Sequence, residues 1–201
     1  MAYVLGLIIT DGCISQAGTV SLAMNDSSLL EKVKTAMDSS HKITPSKHQK
    51  GLYCFQFGRK KMTKDLAEFG IKPKKSLNVK FPEIPDAFKS DFIRGIFDGD
   101  GCVYFDKRSK NCPARTNFCS GSKEFIIKLE LGLQELGLPK RKIYEQKTKN
   151  GIYYMFEYGH KDSKKLFEIL YKNTSNNLFL ERKYNKFLEG FKKSDSYGKR
   201  T

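Results

Sequence analysis

The chain opens with an apolar run from Ala2 to Ile9 that stops at Thr10-Asp11-Gly12, and this reads as a short helix buried on most sides. Period-two alternation over Cys13–Gln16 and Thr19–Met24 predicts a hairpin through Ala17-Gly18. Leu29, Leu30, Val33 and Met37 then fall on one helical face, with Ser27-Ser28 placed to cap the helix. Ile43–Gln49 and Leu52–Phe57 alternate again around Lys50-Gly51, and a helix is predicted over Met62–Phe69. The same order follows a second time. A helix over Asp91–Asp100 leads to strands near Cys102–Lys107 and Arg115–Ser120, then a helix over Lys123–Leu136. A hairpin across Asn150-Gly151 and helices near Ser163–Tyr171 and Leu178–Phe191 complete the pattern.

This is a duplication. "LIITDGCIS" (Leu7–Ser15) and "IFDGDGCVY" (Ile96–Tyr104) share an apolar run, an aspartate, a glycine and a cysteine in one order, and Phe55–Gly58 echoes Phe156–Gly159. The second copy is longer, with its extra residues assigned to the Lys107–Ala114 loop. Residues 1–85 form the first repeat and 86–201 the second. A proline-bearing linker spans 80–90 and a loose tail 192–201. The expected class is α+β: two αββαββα units, each with a four-stranded antiparallel sheet packed on helices by one face.

Parity within the strands separates the two faces. Ile14, Val20, Leu22, Phe55 and Phe57 point to the core of the first repeat. Val103, Phe105, Phe118, Phe156 and Tyr158 do so in the second. Outward positions are Cys13, Ser15, Thr19, Ser21, Cys54 and Gln56 in the first sheet. In the second they are Tyr104, Asp106, Arg108, Arg115, Asn117, Lys142, Tyr144, Gln146, Tyr153 and Glu157. Polar, basic and aromatic side chains on a sheet face suit reading of base edges in the major groove.

Charge adds direction to that reading. The sequence carries 37 basic and 22 acidic side chains, a formal net charge of +15, so a polyanionic partner is expected. No apolar run approaches the roughly 18 residues of a membrane span, which favours nucleic acid over lipid. The five cysteines show neither a CxxC pair nor zinc spacing and read as reduced, partly buried thiols of an intracellular protein.

Gly6 and Thr10 lie four apart, as do Gly95 and Gly99, giving each apolar helix a strip of small residues. Two such helices can pack closely on each other, bringing Asp11 and Asp100 side by side. Each aspartate then sits at the negative end of a helix and beside a like charge. A divalent cation relieves both, and oxygen ligands suit Mg²⁺. Gly12 and Gly101 read as helix C-caps that free the carbonyls of Thr10 and Gly99 as further metal ligands. Paired carboxylates, a divalent metal and a basic face point to phosphodiester hydrolysis, one aspartate per strand. Lys75 and Lys183, near the ends of the two copies, are candidate catalytic cations.

At these residues the chain resembles the LAGLIDADG homing endonucleases over essentially its whole length. "VLGLIITDG" (Val4–Gly12) and "IRGIFDGDG" (Ile93–Gly101) are similar to the two motif helices of that family. The stretch from Gly70 to Gly101 is similar to the linker and second helix of its single-chain members. The resemblance implies a monomeric saddle of two sheets over double-stranded DNA, with Asp11 and Asp100 as the acids. It also implies Mg²⁺ as cofactor, with Mn²⁺ or Ca²⁺ substituting in binding, and cleavage of a long, asymmetric site that promotes intron or intein gene mobility. The sixth motif position departs from symmetry, being Ile9 in one copy and Asp98 in the other. The competing expectation is a non-cleaving relative, an intron maturase or a transcription regulator. With no targeting segment evident, the expected location is intracellular: the cytoplasm of a bacterium or phage host, or an organelle that encodes the protein.

Overall fold

In the computed structural model, the described residues are 1–58, 60–71, 79–106, 113–149, 151–172, 174 and 177–198. Seven helices and eight strands follow in an order that repeats once. The first half is α1 (Ala2–Asp11), β1 (Gly12–Ile14), β2 (Val20–Met24), α2 (Ser27–Ala36), β3 (Ile43–Pro45), β4 (Tyr53–Phe57) and α3 (Lys60–Glu68). The second is α4 (Asp86–Asp100), β5 (Cys102–Phe105), β6 (Ala114–Ser120), α5 (Lys123–Glu135), β7 (Tyr144–Thr148), β8 (Gly151–Tyr158), α6 (His160–Tyr171) and α7 (Glu181–Gly198).

The two sheets are antiparallel and have matching strand orders, β1-β2-β4-β3 and β5-β6-β8-β7. Register fixes their faces as alternation predicts: Leu22 opposes Phe55 and Val20 opposes Phe57, while Phe118 opposes Phe156 and Thr116 opposes Tyr158. These inward side chains are buried under the helices, and Phe118 stacks on Phe156 with ring centroids 5.2 Å apart. Burial of one sheet face leaves the other to solvent, so each half presents an open face on the side away from its helices.

Several boundaries differ from the sequence expectation. Helix α4 starts at Asp86, straight after Pro85, so the expected linker is partly helix; proline fits just outside a helix start, where no N–H is needed. Helix α2 is capped by Asp26, whose carboxylate accepts the Leu29 N–H at 3.2 Å, while Ser28 spends its hydroxyl on Asp26. Strand β3 ends at Pro45, which has no N–H to extend the ladder. The tail expected to be loose continues α7 to Gly198.

Helices α1 and α4 form the seam between the halves. A Cβ added to Gly6 would lie 2.9 Å from Gly95 Cα and 2.8 Å from Ile96 N, so the two backbones touch directly. At the next step along the seam, the Thr10 side chain fills the space against Gly99 that a second side chain would need. The small-residue strips are therefore the contact surface, as their spacing predicts.

Candidate active site

Each seam helix runs straight into the first strand of its sheet. Gly12 and Gly101 cap their helices as expected, with extended backbones (φ −78° and −71°) that are outside the left-handed region favouring glycine. Glycine is required for a different reason: a Cβ at Gly12 would lie 2.7 Å from Ile8 Cα, and one at Gly101 would lie 2.6 Å from Phe97 O. The tight exit keeps the preceding aspartate at the last helical position. Asp11 and Asp100 are both exposed, and Asp11 Oδ2 lies 3.2 Å from where a Gly99 Cβ would stand. Each carboxylate thus sits at the seam end of its helix, Asp11 against Gly99 and Asp100 in a cleft with Thr10.

A polar scaffold surrounds the end of α4. Asp98 is 2% exposed. It accepts hydrogen bonds from Tyr3 Oη at 2.8 Å, Tyr171 Oη at 3.0 Å and the Leu180 N–H at 2.8 Å. Burial pushes its carboxyl pKa up, against those hydrogen bonds and the nearby Lys183 charge. Burial, followed by the Asp98 charge, pushes both tyrosine hydroxyls well above their usual range. Arg94, also buried, donates to Leu178 O and Leu170 O at 2.9 Å each, pairs with Asp91 at 2.7 Å, and lies over the Tyr3 ring.

Lys183 does not project toward solvent as a free cation. Its ammonium donates to the carbonyls of Phe97, Asp98 and Gly99 at 2.7, 2.8 and 3.0 Å, closing the C-terminal end of α4. Burial pulls its pKa down to about 8; the Asp98 and Asp11 charges oppose that shift and Arg182 adds to it. The Gly99 carbonyl, an expected metal ligand, thus accepts one hydrogen bond from Lys183 and has a second lone pair. Thr10 turns its hydroxyl back onto Gly6 O and Leu7 O. Lys75 and Arg108 lie outside the described residues.

Among the described residues no three His, Cys, Asp or Glu side chains form a ready-made metal cage. The oxygen donors at the seam are two exposed carboxylates, a donor set that fits a hard divalent cation whose remaining positions are taken by water or phosphate oxygens. A cleft of about 450 Å³ opens beside Asp11 and is lined further by Asn25, Asp26, Gln49 and Arg182.

The predicted outward residues do share the open faces. Register aligns Cys13 with Ser21, Ser21 with Gln56, and Ala23 with Cys54 in the first sheet. Ser15 and Thr19 are exposed at the hairpin beyond Cys13. In the second sheet Tyr104 faces Arg115, Asn117 faces Glu157, and Gln146 faces Tyr153. Tyr144 is exposed, with the Lys142 ammonium 5.4 Å from its ring centre. Asp106 is brought into the group by an ion pair to Arg115. Of the four cysteines among the described residues, Cys54 and Cys119 are half-buried as expected, whereas Cys13 and Cys102 are exposed, and register puts all four on the open faces. Cys102, Cys119 and Met155 belong to the outward set by the same parity, although the alternation alone did not single them out.

Comparison with known proteins places this geometry. Residues 87–171 match the LAGLIDADG-like domain family. Three solved structures cover almost the whole chain. I-AabMI, a LAGLIDADG meganuclease bound to uncleaved DNA, is 14% identical with a TM-score of 0.65, covering 99% of this chain and 92% of its own. I-DmoI in complex with DNA and Mn is 18% identical with a TM-score of 0.58, covering 86% and 97%. I-SmaMI, a meganuclease bound to uncleavable DNA, is 12% identical with a TM-score of 0.59, covering 94% and 88%. The chain has the LAGLIDADG meganuclease fold. No curated protein sequence matches it.

Proposed function

We propose that the protein is a site-specific double-strand DNA endonuclease of the homing type, acting as a monomer with Mg²⁺ on a long, asymmetric site. In this reading residues 1–85 and 86–201 each serve one half-site, and the protein works inside the cell that holds its target gene. The observation that carries the proposal is the pair of exposed carboxylates, Asp11 and Asp100, each at the last position of a helix in a backbone-to-backbone seam, with a four-stranded sheet in each half. The similar structures with DNA and Mn, Mg or Ca support the same chemistry. Asp11 and Asp100 would hold the divalent ion, which activates water and stabilises charge on the attacking and leaving oxygens. The chain's own contribution is placement. The glycine seam sets the spacing of the acids, Lys183 and Asp98 fix the α4 end, and the sheets orient the duplex.

The test is Mg²⁺-dependent linearisation of a plasmid carrying the uninterrupted form of the gene in which this coding sequence resides. Wild type is expected to cut both strands, while Asp11→Asn and Asp100→Asn bind but do not cut. Specific binding by wild type with no nick in Mg²⁺ or Mn²⁺ would instead assign a non-cleaving binder, and unchanged cutting by both variants would remove the two aspartates from the chemistry.

A further inference from the structure

The open face of the second sheet carries a feature that general DNA attraction does not account for. In a chain of net charge +15, two acids stand on the face turned toward a polyanion. Asp106 and Glu157 flank one cation, Arg115. Its Nη1 donates to Asp106 Oδ2 at 3.3 Å and its Nη2 to Glu157 Oε1 at 2.7 Å. Tyr104 Oη donates to the second Glu157 oxygen at 2.6 Å. Tyr104, Arg115 and Glu157 come from neighbouring strands β5, β6 and β8 and lie on one face by register, since Tyr104 opposes Arg115 and Glu157 opposes Asn117. Arg115 keeps 25% of its side chain exposed, so the cluster is at the surface, not in the core.

Carboxylates repel backbone phosphates, so this cluster is a poor phosphate contact. It has the form of a buttressed guanidinium. Each Nη carries two hydrogens, and one from each is engaged by a carboxylate. One hydrogen on each Nη remains beyond these two ion pairs, and the planar guanidinium matches two adjacent acceptors. In the major groove only guanine offers two acceptors, O6 and N7, side by side on one base. We propose that Arg115 reads a guanine in the half-site under the second sheet. Asp106 and Glu157 are positioning residues that aim the fork and discourage its slipping to a phosphate, and Tyr104 fixes the Glu157 rotamer. This rests on the DNA-binding reading above and adds one base to what that reading says of the target.

Selection from a library of random duplexes, with Ca²⁺ present and full-length protein, tests it with no target sequence specified in advance. Wild type is expected to enrich a sequence containing a strongly preferred guanine in one half-site. Arg115→Lys keeps the charge and loses the fork, and is expected to lower that preference about 5- to 100-fold while the other positions hold. Glu157→Gln is expected to weaken the same position only, with Arg115 unchanged. Arg115→Gln, which removes the charge as well as the fork, should leave the salt dependence of binding unmoved, because no phosphate contact is lost. Enrichment by wild type with the Arg115→Lys profile unaltered, or a salt slope shallower by about 1, would make Arg115 a phosphate contact and overturn the proposal alone. No enriched duplex with wild type would overturn it together with the DNA-binding reading. A misfolded variant is recognised by loss of enrichment at every position, and Glu157→Gln then decides.

Discussion

The seam between α1 and α4 is the feature on which stability and the acid pair both depend, and Gly6→Ala addresses it directly. In an exposed helix this change stabilises, by about 1 kcal/mol of intrinsic propensity. At Gly6 the new methyl would stand 2.8 Å from Ile96 N and 2.9 Å from Gly95 Cα, and closer still to Phe92 O. Carbon contacts are optimal at about 3.5–4.0 Å. The helices must therefore part by about 0.6 Å or more, and no flexible side chain is available to yield, because all three neighbours are backbone. A radial gap of that size forfeits about a quarter of the dispersion energy of each contact along the seam, and overpacking of this kind costs about 1–3 kcal/mol, occasionally more. Net of propensity, Gly6→Ala should destabilise by up to about 2 kcal/mol. For a chain of this size that lowers the melting temperature by up to about 4–8 °C. Gly132→Ala in α5 is the control. Its methyl meets Phe81 and Ile93 at 3.6 and 3.7 Å, ordinary contact distances, and should raise the melting temperature slightly. Differential scanning calorimetry of the three proteins reads both. A Gly6→Ala protein as stable as Gly132→Ala would show that the seam is not packed backbone against backbone. Because Asp11 moves with α1, cleavage by Gly6→Ala should fall further than binding.

Other perturbations follow from the polar scaffold and the thiols. Asp98→Asn cannot accept from all three of Tyr3, Tyr171 and Leu180, and should cost about 1–3 kcal/mol. In a double-mutant cycle with Tyr3→Phe the two losses should not add, and additive losses would mean the hydrogen bond is not formed. Lys183 gives a pH dependence. Folded, it titrates at about 8, and unfolded at about 10.4, so between those values the unfolded chain binds more protons. Stability relative to Lys183→Met should therefore rise with pH across that window, by up to about 3 kcal/mol. Urea titrations in EDTA at pH 7 and pH 10 check this, and parallel curves would refute it. Cys13 and Cys102, exposed on the open faces, should be alkylated by N-ethylmaleimide in the free protein and protected by bound target DNA. Equal labelling with and without DNA would place the duplex elsewhere.

Local order and parity are legible in the chain because they rest on neighbours. The alternation in Val20–Met24 and Tyr53–Phe57 orients those strands correctly, and the Gly6/Thr10 and Gly95/Gly99 spacing identifies the seam. What escapes depends on contacts between distant positions. The ammonium of Lys183 meets carbonyls more than eighty residues earlier in the chain, so the sequence marks it only as one basic residue among many. Leu178 and Leu180 fit an amphipathic helix by pattern, yet their backbone groups serve Arg94 and Asp98, and α7 begins after them. The start of α4 at Asp86 is signalled by Pro85, a start signal that the stronger motif downstream overshadows.

The duplication is close in backbone, but the two seam helices differ in the side chains that precede each acid. Positions Arg94 and Asp98 of α4 correspond to Leu5 and Ile9 of α1. Ile9 is buried among apolar side chains, 4% exposed, whereas Arg94, Asp98 and Lys183 tie α4 to the segment Leu178–Lys183. The ammonium that closes α4 also feels the charge of Asp11, the acid of the other half. Lys183 therefore fixes the helix carrying one carboxylate and bears electrostatically on the other across the seam. The two halves are thus coupled electrostatically through one side chain at the seam.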